Sequence, residues 1–352
     1  MPEADGTQMN FAVEGAGTQA RGTLQFSTLE AGRWTLSEGQ LDLAAWLPAV
    51  QKRFPALAGL AAQGTITLTG EGDWTGANPR GRLRLSLSDG RITQAAQDIE
   101  AEGVELSVEV NGFSPVTTAE AQVLKVRTVR VAGVVLSDLR AVFSLNAAGE
   151  ISVSEATVAL LDGRVSVAPF VVNLIAPKVA TVVRIERLSL QELAPYLPHA
   201  VASVQGRVSG SLSLTWAEPA GLTPGRGALK LDLAEPASVR LAPSPGFITS
   251  RVPERIEFLP EKLGPLRHWI TGNNPALATL RAIELGRTLL LVDSLAVDFD
   301  PEAVERTAAV HVTARPPVSD VVKEVKFDIN VNGPLTDVIG LGLKKKLSVS
   351  AH

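Results

Sequence analysis

Metal binding and catalysis depend on particular side chains at particular spacings, and this 352-residue chain holds few of them. Its four histidines, His199, His268, His311 and His352, stand far apart. None has a second His or a Cys at ligand spacing, so no zinc site is expected. Asp298-Phe299-Asp300 sets two carboxylates on one face of a strand, as a DxD metal site does. Pro301 directly after it marks the passage instead as a strand end and turn. Gly70-Glu71-Gly72-Asp73-Trp74-Thr75-Gly76 has the glycines of a phosphate loop without its spacing or following Lys. It falls between two alternating stretches, so a turn is expected there. No Gly-x-Ser-x-Gly elbow occurs. The chain reads as a non-enzyme that needs no cofactor.

Lys344-Lys345-Lys346 follows the apolar Gly340-Leu341-Gly342-Leu343. Such a run suits anionic head groups, at about 1 kcal/mol per charge near a membrane. It equally suits a solvated helix end with cations on its C-terminal dipole. Trp34, Trp74 and Trp216 fall at strand ends near turns. Trp46 and Tyr196 hold equivalent places before Leu-Pro in two similar passages, which points to structural anchoring.

Those two passages set the architecture. Leu41 to Ile92 runs LDLAAWLPAV, a connector, GTITLTGEGDW, a Pro-Gly linker and GRLRLSLSDGRI. Leu188 to Leu241 runs LSLQELAPYLPHAV, a connector, GRVSGSLSLTW, a Pro-Gly linker and GALKLDLAEPASVRL. A repeat of this size marks a body built by stacking one supersecondary unit. Period-two alternation predicts strands at 65–69, 82–87, 105–110, 125–131, 164–167, 230–233, 311–313 and 326–331. Turns are expected at Asp89-Gly90, Asn111-Gly112, Ala148-Gly149, Asp162-Gly163 and Asn332-Gly333-Pro334. Helical stretches are few: Asp42 to Ala62, Gln191 to Val204, Glu261 to Thr271 and Leu335 to Lys345. Prolines 48, 55, 195 and 198 cut the first two short.

Apolar residues make up 45% of the chain, but aromatics only 5% and charged residues 20%, so Leu, Val and Ala must carry any buried surface. A net charge of −4 gives no footprint for nucleic acid. Cysteine is absent, which fits an oxidising compartment such as a periplasm. No run reaches eighteen apolar residues, and the first residues lack the pattern of a signal peptide. The expectation is either a soluble cytoplasmic protein or the separated part of a longer anchored chain. The abrupt opening near a strand and the end at Ser350-Ala351-His352 favour the second.

The short helices cannot cover the apolar faces of so many strands, and each bare Leu, Val or Ile forgoes roughly 1.5–3 kcal/mol. A second sheet, a curl of the same sheet or an apolar ligand must do it. We expect a mostly β fold: an elongated, curled antiparallel sheet, trough-like and repetitive, with a few short helices. It forms one continuous body over 1–352, with repeat units at about 22–113 and 161–245 and a C-terminal segment at 246–352. The inward positions expected to line a lipid groove are Ile66, Leu68, Leu83, Leu85, Leu87, Leu212, Leu214, Leu229, Leu231 and Leu233.

The repeated unit resembles that of the AsmA-like superfamily. The middle and end resemble its YdbH branch more specifically. The residues that carry this are Leu161-Asp162-Gly163-Arg164-Val165, Val204-Gln205-Gly206-Arg207-Val208-Ser209-Gly210-Ser211-Leu212 and Phe327-Asp328-Ile329-Asn330-Val331-Asn332-Gly333-Pro334-Leu335. The resemblance implies a periplasmic β-rich protein held in the inner membrane by an N-terminal helix that this chain lacks. It implies a hydrophobic groove that passes phospholipid toward the outer membrane. One alternative is an envelope assembly module whose edge strand, such as Leu347 to His352, pairs with a small lipoprotein or another protein. A second is a dicarboxylate transport component, a label also attached to this family. It would need a cluster of free cations that the sequence does not display.

Overall fold

A computed structural model describes residues 7–28, 30–53, 57–131, 133–174, 177–196, 201–217, 221–257, 271–300, 308–319, 321–331 and 350–351. Contacts divide the chain into two compact units: Met1–Leu160 with Arg164–Arg184 and Ser213–Thr223, and Leu161–Gly163 with Ile185–Leu212 and Pro224–His352. The fold is mostly β, in large antiparallel sheet with short helices, as the alternation predicts.

The chain opens with β1 (Thr7–Gly15), β2 (Thr18–Thr28), β3 (Ala31–Asp42), α1 (Leu43–Arg53), β4 (Leu60–Gln63) and β5 (Thr65–Thr75). Next come β6 (Asn78–Gln94), β7 (Ile99–Phe113), β8 (Val116–Thr118), β9 (Gln122–Val131), β10 (Val134–Leu145) and β11 (Glu150–Leu160). Then follow β12 (Gly163–Val167), β13 (Phe170–Asn173), β14 (Lys178–Ser189), α2 (Leu190–Leu193), β15 (Val201–Gln205) and β16 (Arg207–Ala217). After these come β17 (Gly221–Leu231), β18 (Ser238–Leu241), β19 (Arg255–Glu257), β20 (Thr271–Asn273) and α3 (Ala276–Glu284). The last are β21 (Leu290–Phe299), β22 (Ala308–Arg315), β23 (Val325–Val331) and β24 (Ser350–Ala351).

In the first unit antiparallel pairing runs β1-β2-β3-β5-β6-β7-β9-β10-β11-β13. Between β3 and β5 the chain makes an excursion through α1 and returns as β4. Strand β6 is 17 residues long, and it uses both halves. Its first half pairs β5 and its last four residues pair β4. The change of partner falls at Asp89-Gly90, where register shifts and Asp89 takes a φ of 54°. The turn expected there is therefore a bulge. Asn111-Gly112 is likewise a bulge within β7, and the reversal comes after Phe113. Both dipeptides supply the kink without reversing the chain, because pairing resumes on the far side. Gly70 to Thr75 also continues β5, so the turn expected across that passage shrinks to its last residues. Ala148-Gly149 and Asp162-Gly163 do form turns between strands.

The second unit pairs β17 and β18 with β21, then β21-β22-β23-β24, with β15 on β18. A small pair, β19-β20, stands apart. Helical structure is described from Leu190 to Tyr196, and Val201 onward is strand, so the stretch expected to be helical to Val204 is shorter. Pro195 and the β-branched residues beyond it account for this. Helix α3 was not expected. The segments 261–270 and 335–345 lie outside the described residues.

The two copies of the repeat share one backbone device. The Leu43 N–H donates to Gly64 O at 3.0 Å, and the Leu190 N–H donates to Gly206 O at 3.0 Å. Gly64 and Gly206 have φ of +132° and +128°, a region that side chains disfavour. Asp42 Oδ1 accepts from Ala44 N, and Ser189 Oγ accepts from Glu192 N, so each copy caps its helix with an acceptor. Ahead of each cap a turn carbonyl is bonded: Asp42 N to Gly17 O at 2.8 Å, and Ser189 N to Leu161 O at 3.0 Å. The copies part company afterwards. Where the first has continuous β6 with a bulge, the second has β17, a loop over 232–237 with Pro236, and then β18.

Candidate functional site

Register turns the alternation of the first unit into a surface. Leu41, Ile66, Leu87, Leu106, Leu124, Ala141 and Ala156 are successive cross-strand partners from β3 to β11. At about 4.8 Å per strand this apolar row extends roughly 29 Å. A second row runs Gly39-Leu68-Leu85-Val108 and a third Leu36-Gly70-Leu83-Val110. Most of these side chains are only half-buried, with Leu68 (9% exposed) and Leu87 (7%) the exceptions.

The other face of the same strands is charged. Arg84 pairs with Glu109 at 3.1 Å and Arg127 with Asp89 at 2.9 Å. Glu100 lies between Arg91 and Arg130. The hydrogen bond from Arg91 holds the Glu100 carboxyl below its ordinary range against some burial. One side of this sheet therefore prefers water and the other does not.

Two structures flank the apolar face. At one margin α1 lays Leu43 on a cluster of Leu87, Val104 and Val126, joined by Ile66, Ile92 and Leu106. The helix is fixed by Trp46 Nε1 donating to Thr18 Oγ1 at 2.9 Å and by Gln51 Nε2 donating to Leu60 O at 2.8 Å. At the other margin stand four aromatic rings. Phe26 meets Trp74 edge-on at 5.5 Å between centroids, and Trp34 meets Phe113 at 5.9 Å. They are seated on glycines. A Cβ at Gly32 would come within 2.4 Å of the Trp74 ring, and one at Gly81 within 2.9 Å of the Trp34 ring.

The second unit carries the row Leu229-Val297-Val310-Ile329 across β17, β21, β22 and β23. Its packing is tighter. Ile283 of α3 and Leu290 of β21 are fully buried, and Val208 nearly so. The Glu284 carboxylate, also buried, accepts from Ile248 N at 3.1 Å and from Thr249 N and Oγ1 at 2.9 and 2.7 Å. Burial alone would raise this carboxyl, but those donors outweigh it and hold it below its ordinary range.

A cationic cluster that sequence reading missed is Arg187 and Arg207. Arg187 pairs with Asp232 at 3.0 Å and with Glu235, and Arg207 with Asp162 and with Glu235 at 3.2 Å. Arg207 also donates to the carbonyls of Asp162 and Arg187 at 2.7 and 2.8 Å. The bond to Asp162 raises its already high pKa further. Both guanidinium groups are thus taken by three carboxylates, which leaves this cluster no free cation for a dicarboxylate. No local signal points to this cluster, because its partners lie as many as 48 residues apart in the sequence.

The YdbH-like family, described as intermembrane phospholipid transport protein YdbH, matches residues 8–223. The chain belongs to the YdbH-like family. No curated protein and no solved structure matches it significantly. The match takes in the whole apolar face from β3 to β11. This YdbH-like chain has no cluster of His, Cys, Asp and Glu fit for a metal among its described residues. No described helix is long and apolar enough to cross a membrane.

Of the expected lining residues, Ile66, Leu68, Leu83, Leu85 and Leu87 come together on the apolar face of the first unit. Leu212 and Leu229 share a face of the second, each against a glycine of the neighbouring strand, Gly227 and Gly210. Leu231 lies at the end of β17 beside Gly206, and Leu214 is half-buried on β16. Leu233 is not brought to them: it lies in the 232–237 loop and is 76% exposed. Asp298 is in β21, and Asp300 just past it faces Arg226 at 3.6 Å. His311 pairs with Asp328 at 2.6 Å. His199, His268, His352 and Lys344-Lys345-Lys346 lie outside the described residues, as does most of Leu347 to His352; within it Ser350 and Ala351 pair with β23.

Proposed function

We propose that this chain is a segment of a periplasmic lipid conduit, in which phospholipid acyl chains travel along the apolar face of the first unit between inner and outer membrane. The carrying observation is the in-register row from Leu41 to Ala156, half-buried on one side of strands whose other side is ion-paired. Each methylene moved from water onto such a face gains about 0.8 kcal/mol. The contacts are non-covalent and interchangeable, so movement along the row requires no single binding residue and no reaction. In the full protein an N-terminal membrane anchor would precede this segment, and a small envelope lipoprotein would pair with an edge strand.

Leu83→Asp combined with Leu85→Asp is expected to abolish phospholipid co-purification, read by native mass spectrometry, while circular dichroism stays that of a folded β protein. An unmutated chain that carries no lipid overturns the proposal. A structural role in assembly is favoured for the second unit alone, by the full burial of Ile283 and Leu290, which leaves little there for a ligand to cover.

A further inference from the structure

We propose that the aromatic margin of the first unit is an end stop that sets which acyl-chain lengths its apolar face accepts. The proposal rests on the lipid-conduit reading. Along β5 the apolar side carries Ile66, Leu68, Gly70, Gly72 and Trp74 in turn. Leu43 of α1 covers the Ile66 end, and Trp34 lies over Gly72 and Gly81. The six residue steps from Ile66 to Gly72 span about 20 Å at 3.4 Å per step. One leaflet of a bilayer's ~30 Å hydrocarbon core is about 15 Å deep, so an acyl chain laid along the strands fits between the two covers.

The rings are held as a fixed wall. Phe26 locks Trp74 and Phe113 locks Trp34 in edge-on pairs. Gly32, Gly72 and Gly81 let the indoles sit directly on backbone, where any side chain would collide. A sheet that needed only stability would fill these positions with β-branched residues. Here glycines lower the floor and half-buried rings close its end. Beyond α1 and this wall, the face between them is lined by Leu36, Leu68, Leu83, Leu85, Val108 and Val110, all aliphatic.

The test offers the purified chain an equimolar vesicle mixture of dimyristoyl, dipalmitoyl and distearoyl phosphatidylethanolamine, with bound lipid read by mass spectrometry. Trp34→Ala and Trp74→Ala should shift the bound population toward distearoyl lipid, by about fourfold for each methylene newly accommodated. Trp34→Phe should keep the original profile. Folded alanine variants that bind lipid with an unchanged profile overturn the end stop and leave the conduit standing. Absence of lipid from the unmutated chain overturns both. Should the alanine variants fail to fold, Trp46→Phe, Trp216→Phe and Trp269→Phe together leave only Trp34 and Trp74 to report. Quenching is then expected to be stronger from lipid brominated near the acyl terminus than near the head group, and the reverse order overturns the end stop.

Discussion

The two units bury their apolar residues in opposite proportion to their size. The first is the larger, yet among the described residues it holds six of the twenty buried apolar side chains: Ala62, Leu68, Leu87, Val104, Val126 and Val183. The other fourteen belong to the second unit, which includes the fully buried Ile283 and Leu290. Similar strands thus serve two ends. In the second unit α3 and the β18–β21 pairing complete a core. In the first, α1 and the aromatic cluster cover the margins and leave the rows between them half-exposed. On the proposed reading, the unit with the half-exposed face is the one that a lipid would complete.

The largest expected effect tests that contrast. Leu290→Ala should destabilise the second unit by about 2–5 kcal/mol, as a cavity in a fully closed site does. Leu83→Ala, on the half-buried face, should cost roughly 1 kcal/mol. Denaturant unfolding followed by tryptophan fluorescence reads both, and equal losses would erase the distinction between the units.

How far the sequence carried this picture depends on which residues one asks about. Alternation located β5, β6, β7 and β9 of the apolar face of the first unit, because side chains at i and i+2 must share a face, but not β3, β10 or β11. It placed Ile66, Leu68, Leu83, Leu85 and Leu87 on one surface before any register was known. Register itself was invisible, and with it the bulges: Asp89-Gly90 reads the same whether the chain reverses or only changes partner. The ion pairs of Arg187 and Arg207 join residues up to 48 apart, so no local pattern announces them. Helix α3 was legible in principle. Pro275 precedes a run of helix formers with Leu277, Leu280 and Ile283 at helical spacing. The aromatic cluster was visible only as tryptophans near turns; what seats it is glycine, whose meaning depends on the neighbouring strand.

A second pair of substitutions sharpens the comparison between the repeat copies. Gly64→Ala forces a Cβ within 2.9 Å of Leu87 Cδ1, and Gly206→Ala within 2.8 Å of Ala237 Cβ, both at strongly positive φ. Each should cost about 1–3 kcal/mol, and by similar amounts if the Leu43 and Leu190 bonds do the same work. A loss at one site alone, measured by thermal melting, breaks the equivalence.

Acid should act on the second unit through Glu284. Its folded pKa is depressed, so its contribution is present above the unfolded value of about 4.3 and is lost as pH falls through the folded value. The Glu284→Gln protein should be less stable than the parent near neutral pH, and its melting temperature should fall less between neutral pH and about pH 3. Parallel curves for the two proteins would mean that the carboxylate's charge does not hold the Ser244–Arg251 segment.

The smallest expected effect concerns the loop that distinguishes the second copy from the first. In the first copy β6 passes the bulge at Gly90 without leaving the sheet. In the second, residues 232–237 leave it, and Asp232 and Glu235 are caught by Arg187 and Arg207. The arginines are thus expected to replace, with ion pairs, the ladder bonds that the loop forgoes. The acidic partners are partly exposed and screened by salt, so their effect should stay local. Arg207→Gln should speed hydrogen exchange at the Ala234 amide, which donates to Asp232 Oδ1. The Val292 amide, bonded to Ala237 O at the loop's far end, should exchange nearly as before. If both amides speed up together, the clasp supports the core rather than the loop. The second copy would then depend on charge where the first depends on α1.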